Sequence, residues 1–324
     1  MVAAVRVHKL GGPEVLSYDE IEVGAPGPGQ IRIKQHACGI NFIDTYFRTG
    51  LYPAPQLPFI PGNEAAGDVV AVGDDVTEFR PGDRVTYNIT LGAYASERVL
   101  PAERAIKLPD GISYEQAAAM MLKGMTARYL LRSVYKVEKG STILMHAAAG
   151  GVGLIICQWA SSLGATVIGT VGSKEKAELA KANGCHHVIL YREEDFVARV
   201  KEITGGKLCD VVYDGVGKDT FPGSLDCLRP RGMFASFGNA SGPVPPFNPL
   251  LLTQKGSLFM TRPTLVHYTA TRADLLECAN DLFAAVQSGA VKIPVNQKYP
   301  LKDAVKAHQD LESRKTTGSS ILVP

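Results

Sequence analysis

The first third of the chain consists of short apolar segments separated by glycine and proline. Residues 31–35 begin with alternating apolar and polar side chains, and residues 67–72 and 83–87 are similar short segments that contain valine. Such segments are typical of strands with one buried face. The opening residues 1–8 have the same character. Over residues 1 to about 122 this pattern predicts a small, twisted β-barrel.

A different pattern begins near residue 141. Residues 141–145 are apolar enough for a strand covered on both faces, and residues 154–160 continue as a helix that ends at Gly164. Further predicted strands lie at 166–170, 188–191, 210–214, 232–237 and 257–261, and further helices at 174–183, 195–204 and 219–228. Such alternation favours a parallel sheet with right-handed crossovers. We therefore predict an α/β fold whose Rossmann domain, a doubly wound parallel sheet, covers residues 126–263.

The C-terminal segment predicts a return to the β-rich domain. Residues 271–288 have apolar side chains at helical spacing, and residues 291–295 and 319–323 have the composition of strands. We expect one domain to comprise residues 1–125 and 264–324 and the other residues 126–263. Ligands would then bind in a cleft between the domains, at the carboxyl ends of the parallel strands.

The turn after the first predicted Rossmann strand carries the strongest chemical signal. A dinucleotide fingerprint needs small residues where the chain turns, where the backbone approaches pyrophosphate and where helix packs on strand. Ala148, Gly150 and Gly153 occupy these positions, with Ala148 departing from the usual glycine. Free N–H groups at a helix start favour an anion. The predicted pyrophosphate-binding residues are Ala149, Gly150, Gly151 and Val152.

Composition narrows the possible partners. The 324 residues include 34 basic and 32 acidic side chains, a formal net charge of +2, so no overall field draws the chain to nucleic acid or to an anionic membrane. No apolar stretch reaches the roughly 20 residues that span a bilayer, and the first residues lack the apolar core of a secretory signal. The six cysteines are scattered without a CxxC pair, which is typical of reduced thiols in a cytoplasmic protein.

A family resemblance is carried by five segments, which are GNEAAG at 62–67, AAGGVG at 148–153, GINFIDTY at 39–46, KGMT at 123–126 and SFGN at 236–239. Together they resemble the medium-chain dehydrogenase/reductase superfamily and, within it, the zeta-crystallin-type quinone oxidoreductases. The resemblance covers essentially the whole chain. It implies a GroES-like barrel beside the Rossmann domain, reduction of quinones with a nicotinamide cofactor, and a homodimer.

Two positions depart from the zinc alcohol dehydrogenases of the same superfamily. Those enzymes have a cysteine where this chain has Asn41 and a histidine where it has Asn63. An asparagine amide is a poor zinc ligand, and Glu64 alone is not a convincing one. The four closely spaced cysteines of a structural zinc lobe are also missing from the sequence. We therefore predict a zinc-independent protein without a metal site.

The choice of nicotinamide cofactor is indicated about 20 residues beyond the fingerprint, where an NAD-binding fold places an acidic residue for the ribose 2′-hydroxyl. Residues 170–174 contain no acidic residue. Lys174 or Lys176 could neutralise a 2′-phosphate while Ser173 hydrogen-bonds to it, which favours NADPH. Alternatively, both lysines are solvated charges at a helix start, with Glu175 between them diluting the local field.

The resemblance adds specific residues to this cofactor site. It favours Lys176, Tyr191 and Arg314 as the grip on the adenosine phosphate. Arg314 can contribute only if the C-terminal segment folds back towards the cofactor. The other predicted cofactor-binding residues are Asn41, Lys123, Thr126, Gly172, Ser173, Phe237, Gly238 and Asn239.

A quinone accepts reducing equivalents readily, so the protein must mainly orient two flat rings and donate hydrogen bonds to the oxygen that gains charge. The predicted catalytic residues are Asn41, Tyr46, Tyr52 and Lys123. The alternative for the two tyrosines is ordinary aromatic packing. Asp44 could fix Tyr46 or the cofactor amide, or it could brace the local turn.

Two competing functions stay open from the sequence. The same zinc-free cleft could reduce an activated carbon–carbon double bond. A non-enzymatic role is the other possibility, since relatives of this type include lens crystallins and proteins that bind AU-rich RNA. Balanced charge and the lack of an aromatic–basic motif argue against nucleic acid as the main partner. His146, at the end of the first Rossmann strand, is expected to be hydrogen-bonded within the sheet edge.

Overall fold

The computed structural model describes residues 1–53 and 56–324. Its strands are β1 (Val2–Val7), β2 (Leu16–Ile21), β3 (Gln30–Ile40), β4 (Glu64–Val72), β5 (Arg84–Asn88), β6 (Glu97–Pro101), β7 (Ala105–Lys107), β8 (Thr142–Met145), β9 (Thr166–Val171), β10 (His187–Leu190), β11 (Cys209–Asp214), β12 (Leu228–Ser236), β13 (Phe259–Thr261), β14 (Val295–Pro300) and β15 (Ser319–Val323). Its α-helices are α1 (Phe42–Thr49), α2 (Tyr114–Tyr129), α3 (Gly151–Ser162), α4 (Lys174–Ala182), α5 (Phe196–Ile203), α6 (Gly223–Asp226), α7 (Leu250–Gln254), α8 (Leu265–Tyr268), α9 (Arg272–Gln287) and α10 (Ala304–Glu312).

The chain divides into two units. The first comprises Met1–Met125, Thr269–Gln287 and Ile293–Pro324, and the second comprises Thr126–Tyr268 and Ser288–Lys292. Residues 264–268 and 288–292 therefore lie in the second unit, whereas the predicted boundary assigned them to the first. Residues 288–292 have a local reason for this placement. Gln158 of α3 donates from Nε2 to the Lys292 carbonyl (3.0 Å) and accepts at Oε1 from the Lys292 N–H (2.8 Å).

The first unit is built around a seven-stranded sheet with the order β14-β15-β3-β4-β5-β7, in which β6 also pairs with β3. β14 and β15 run parallel, and the other pairs are antiparallel. Strand β3 has the burial that its alternation predicts, because Ile31 and Ile33 are fully buried while Lys34 is exposed. Burying such a side chain contributes roughly 1.5–3 kcal/mol. β3 runs directly into α1 and so fixes where that helix begins.

The second unit contains a parallel six-stranded sheet with the order β10-β9-β8-β11-β12-β13. Numbered from β8, this is the order 3-2-1-4-5-6 of a doubly wound dinucleotide-binding fold, so the predicted Rossmann architecture is confirmed. Its central strands are buried on both faces, with Leu144, Ile168, Val212 and Phe234 in one core cluster. The near-continuous apolar strands of the sequence reflect this double burial.

Two predicted elements are wrong, and proline explains both. The predicted helix at 219–228 is reduced to α6, which begins only after Pro222, and Leu228 already belongs to β12. The predicted strand at 291–295 is not a strand: Val291 is buried without pairing, Pro294 lacks an N–H for a ladder, and β14 begins at Val295. Val291 and Ile293 are apolar because they are buried, and not because they belong to a strand.

All six cysteines are buried free thiols. Within residues 1–53 and 56–324, no helix has the length and apolar character needed to cross a bilayer.

Candidate active site

The predicted pyrophosphate turn lies at the carboxyl end of β8. Gly150 is the N-cap of α3 and has an extended backbone, while Ala147 has a left-handed φ of 55°. A Cβ atom on Gly153 would lie 2.4 Å from the Ala147 carbonyl oxygen and 2.7 Å from that of Ala148. The first turn of α3 therefore sits directly on the backbone of the loop, which leaves the helix N–H groups able to face an anion.

The departure from glycine at Ala148 has a structural explanation. Ala148 is fully buried, and the neighbouring strand β9 carries Gly169 opposite its methyl group. A Cβ atom on Gly169 would lie 2.6 Å from the Ala148 Cβ. The missing side chain on β9 therefore provides the space that the glycine of the usual fingerprint would provide.

The other predicted cofactor residues of the second unit lie at the same edge of the sheet. Gly172 and Ser173 follow the carboxyl end of β9, Tyr191 follows β10, and the run Phe237, Gly238 and Asn239 follows β12. In the amide orientation that satisfies both of its polar atoms, Asn239 accepts at 3.2 Å from Arg262. Because carboxyl ends of parallel strands share one edge, these residues line the edge where dinucleotides bind.

The end of β9 carries the features predicted to select the adenosine phosphate. Ser173 is the N-cap of α4 and accepts at Oγ from the Lys176 N–H (3.4 Å). Lys176 is partly exposed, Lys174 is exposed, and Tyr191 is 39% exposed. The predicted partner Arg314 is an exposed residue of the first unit, directly after α10, and has a left-handed φ of 60°.

In the first unit, Asn41 is the N-cap of α1 and is 4% exposed. Its Nδ2 donates to Glu64 Oε1 at 2.7 Å, and its backbone N–H donates to Asp44 Oδ2 at 2.9 Å. Both ends of the residue are therefore held by carboxylates. Asn41 and Asp44 thereby form a capping box at the start of α1.

Lys123 meets the same Glu64 carboxylate. The Lys123 ammonium donates to Glu64 Oε1 (3.2 Å) and to the Ile40 carbonyl (3.1 Å), while the Leu122 N–H donates to Glu64 Oε2 (2.6 Å). Lys123 is 7% exposed and Glu64 is fully buried. The structure thus brings two predicted catalytic residues, Asn41 and Lys123, onto one carboxylate that the sequence alone did not assign to the site.

The close approach behind this ion pair depends on Gly39. A Cβ atom at this position would lie 2.1 Å from the Ala118 carbonyl of α2 and 2.3 Å from Glu64 Oε1. The glycine of the GINFIDTY segment therefore lets α2, which carries Lys123, lie against β3. A glycine within a strand indicates a close approach, but it does not identify Glu64 as the group that approaches, so the sequence alone could not assign this carboxylate.

Asp44 acts as the local brace. It is fully buried, and besides Asn41 it accepts from Asn63 Nδ2 (2.8 Å) and from the Tyr94 hydroxyl (3.0 Å). Burial raises the pKa of this carboxyl to about 6, although the hydrogen bonds oppose the shift. The turn-brace interpretation is therefore the one that the contacts support.

Tyr46 and Tyr52 lie together in the first unit. Their ring centroids are 5.1 Å apart at an interplanar angle of 61°, and Phe47 meets Tyr52 edge-on at 5.8 Å. Tyr46 is 8% exposed, whereas Tyr52 is partly exposed. Aromatic packing is thus present, and Tyr52 is the more accessible of the two residues.

Thr126, on α2, is counted in the second unit and is 8% exposed.

His146 is fully buried at the end of β8 and lies within hydrogen-bond distance of Thr170 Oγ1 (2.9 Å) and Ser224 Oγ (3.0 Å). These contacts tie the end of β8 to the adjacent strand β9 and to helix α6, as predicted for a histidine hydrogen-bonded within the sheet edge. No group of three or more His, Cys, Asp or Glu side chains suited to a metal occurs among the described residues.

Comparison with known proteins gives concordant matches. Residues 27–110 match the family "Alcohol dehydrogenase GroES-like domain", and residues 151–284 match "Zinc-binding dehydrogenase". The chain is 53% identical to a quinone oxidoreductase of Pseudomonas aeruginosa, with both chains fully covered. It is 49% identical to a 2-haloacrylate reductase of a Burkholderia species, covering 100% of this chain and 99% of the relative. A crystal structure of Escherichia coli quinone oxidoreductase complexed with NADPH superposes with a TM-score of 0.98 at 54% identity, covering 99% of this chain and 100% of that one.

Proposed function

Because the chain belongs to the quinone oxidoreductase family of the medium-chain dehydrogenase/reductase superfamily, we propose that it passes reducing equivalents from NADPH to quinones. The observation that carries the proposal is the turn before α3, where the backbone contact at Gly153 leaves helix N–H groups for a pyrophosphate. The E. coli protein of near-identical fold is named as an NADPH complex. NADPH, when bound, supplies the hydride or electrons.

The residues of the chain have separate roles in this proposal. The pyrophosphate is held by Ala149, Gly150, Gly151 and Val152. The adenosine phosphate is held by Lys176, Tyr191 and Arg314, with Gly172 and Ser173 beside them. The residues proposed near the nicotinamide are Asn41, Lys123, Thr126, Phe237, Gly238 and Asn239.

Substrate orientation falls to the first unit. Lys123 and Tyr52 are proposed to donate hydrogen bonds to the quinone oxygen that gains charge, with Tyr46 supporting Tyr52. Glu64 and the Ile40 carbonyl take two of the three protons of the Lys123 ammonium, so the third can face a ligand. The proposed chemistry needs no metal, since an ammonium and hydroxyls stabilise the developing anion.

The preference for NADPH over NADH tests the proposed function. We expect turnover of simple quinones with NADPH at a kcat/KM well above that with NADH. Changing Lys176 to alanine removes a charge-assisted hydrogen bond, so kcat/KM with NADPH should fall about tenfold or more while the value with NADH stays within about twofold. Steady-state assays measure both. Lys181→Ala on the same helix, whose ammonium pairs with Glu178, is the control. Equal or better use of NADH by the wild-type protein would reject the proposal.

A second candidate reaction is favoured by one comparison, the 49% identity to a 2-haloacrylate reductase. Reduction of an activated carbon–carbon double bond would use the same cofactor site and the same donors. Adding 2-chloroacrylate and α,β-unsaturated ketones to the quinone panel separates the two activities. A higher kcat/KM on these substrates than on any quinone would reverse the order of the two candidates.

We also propose a homodimer in the cytoplasm. β13 is the terminal strand of the Rossmann sheet, and its Phe259 is 58% exposed. Leu250 and Val266, on the flanking segments, are 55% and 46% exposed. An exposed apolar edge strand is a template for pairing with a second copy.

Light scattering on a sizing column tests the dimer. Phe259→Glu places a charge in the proposed interface and should convert the dimer to a monomer at micromolar concentration. The matched control is Tyr18→Glu, because Tyr18 is 53% exposed on β2 of the first unit. A monomeric wild-type protein, or a variant that stays dimeric, would contradict the proposal.

A further inference from the structure

A buried chain of polar side chains lies behind α1 in the first unit. Arg48 of α1, His308 of α10, Tyr94 and Asp44 are all fully buried. Arg48 NH1 lies 2.8 Å from His308 Nδ1, His308 Nε2 lies 3.0 Å from the Tyr94 hydroxyl, and that hydroxyl lies 3.0 Å from Asp44 Oδ2. Residues from distant parts of the sequence thus form one continuous hydrogen-bonded chain.

The hydrogen bonds between these four side chains can run in only one direction. Arginine can only donate, so His308 Nδ1 must accept and its proton must be on Nε2. Nε2 therefore donates to the Tyr94 oxygen, and the Tyr94 hydroxyl donates to Asp44. His308 is thus neutral, which agrees with burial and the Arg48 charge lowering its pKa to about 3. A guanidinium at one end and a carboxylate at the other fix the order of every proton between them.

The first and last side chains of this hydrogen-bonded series, Arg48 and Asp44, are each held by further bonds. At the outer end, Arg48 also donates to the Gly11 carbonyl (3.1 Å) and to Glu312 Oε1 (2.7 Å) at the end of α10. At the inner end, Asp44 Oδ2 receives the Asn41 N–H as well as the Tyr94 hydroxyl. The C-terminal helix is therefore linked, through three side chains, to the N-cap residue of α1.

We propose that Arg48, His308 and Tyr94 are positioning residues that hold the Asp44 carboxylate in one orientation and thereby place Asn41 for the reaction. The inference rests on the proposed function. None of the three residues is assigned contact with cofactor or substrate. Their effect reaches the site through the Asp44–Asn41 contact, so it should change the rate of the reaction more than the affinity for NADPH.

The pKa of the Asp44 carboxyl determines how kcat should depend on pH. Burial and the Glu64 carboxylate raise the pKa of Asp44 to about 6, and the bonds from Asn63, Asn41 and Tyr94 lower it. Below that pH the carboxyl gains a proton and loses acceptor capacity, so kcat should fall as the pH falls through 6. Removing the Tyr94 donor removes one influence that lowers the pKa, so the fall should begin at a higher pH.

Tyr94→Phe is the direct test because it removes a single oxygen atom. We expect kcat to fall about tenfold, the Kd and KM for NADPH to stay within about twofold, and the acid limb of the kcat profile to move up by about half a pH unit or more. The matched control is Tyr299→Phe, which removes a similar tyrosine–aspartate bond to Asp310 (3.1 Å) on α10 without touching Arg48, His308 or Asp44. That control should leave kcat and its pH profile unchanged.

A second variant and a second readout keep the test decisive. Glu312→Gln removes only the outer charge from a partly exposed side chain and loosens Arg48, so it should give a smaller fall in kcat without an upward shift of the acid limb, even if Tyr94→Phe folds poorly. The Asn41 amide resonance, followed by NMR against pH, should titrate near 6 in the wild-type protein and higher in Tyr94→Phe. This signal does not need turnover, so absence of quinone reduction would contradict the proposed function without contradicting this inference. Folded variants with wild-type kcat, pH profile and amide titration would overturn the inference.

Discussion

Replacing Gly153 by alanine should weaken NADPH binding at least a hundredfold, which corresponds to about 3 kcal/mol. The added Cβ atom would lie 2.4 Å from the Ala147 carbonyl oxygen and 2.7 Å from that of Ala148. Both neighbours are backbone, so no side-chain rotation relieves the clash and α3 must move away from the loop. Overpacking of this kind also costs about 1–3 kcal/mol of stability.

A series of glycine substitutions provides the internal controls for this result. A Cβ atom on Gly150 would lie 3.2 Å from the Ala147 carbonyl, and one on Gly24 meets nothing within 4 Å. Binding of NADPH, measured by fluorescence titration, should therefore be unchanged in Gly24→Ala, weakened moderately in Gly150→Ala and nearly lost in Gly153→Ala. Equal affinity across the three variants would show that the turn does not hold the pyrophosphate.

The Rossmann sheet could be predicted because its information is local. Strands such as β8 and β9 are short apolar runs, and their alternation with helices predicts parallel pairing through right-handed crossovers. The two wrong elements have a common cause. Apolar residues at 219–228 and 291–295 are buried, but Pro222 and Pro294 prevent the regular structure that their composition suggests.

The candidate site likewise contains some features that a local sequence pattern predicts and others that only the fold reveals. The pyrophosphate turn was predicted because Gly150 and Gly153 lie within four positions of each other. The Glu64 ion pair and the Tyr94–His308 contact join residues 59 and 214 positions apart. Nothing in a local pattern distinguishes His308 on an amphipathic helix from a solvated histidine, so these contacts needed the fold.

Changing Lys123 to methionine should cost about 3–5 kcal/mol of stability, because it leaves the Glu64 charge buried without its partner. Glu64 is fully buried and Lys123 is 7% exposed, so water cannot replace the ammonium. The matched control is Lys298→Met in the same unit. Its ion pair with Glu115 joins side chains that are 50% and 42% exposed, so the loss should be about 0.5 kcal/mol. Urea denaturation of each variant measures the difference.

The double variant Glu64→Gln, Lys123→Met separates stability from chemistry. A neutral amide at position 64 has one acceptor oxygen, so it can keep the bond from Asn41 or the bond from the Leu122 N–H; because no buried charge remains, part of the lost stability should return. Quinone turnover should not return, because the proposed donor to the reduced oxygen is gone; we expect kcat to stay about a hundredfold below wild type. Recovery of both stability and kcat would mean that Lys123 serves only to neutralise Glu64. A stable but inactive double variant would assign the ammonium to the reaction.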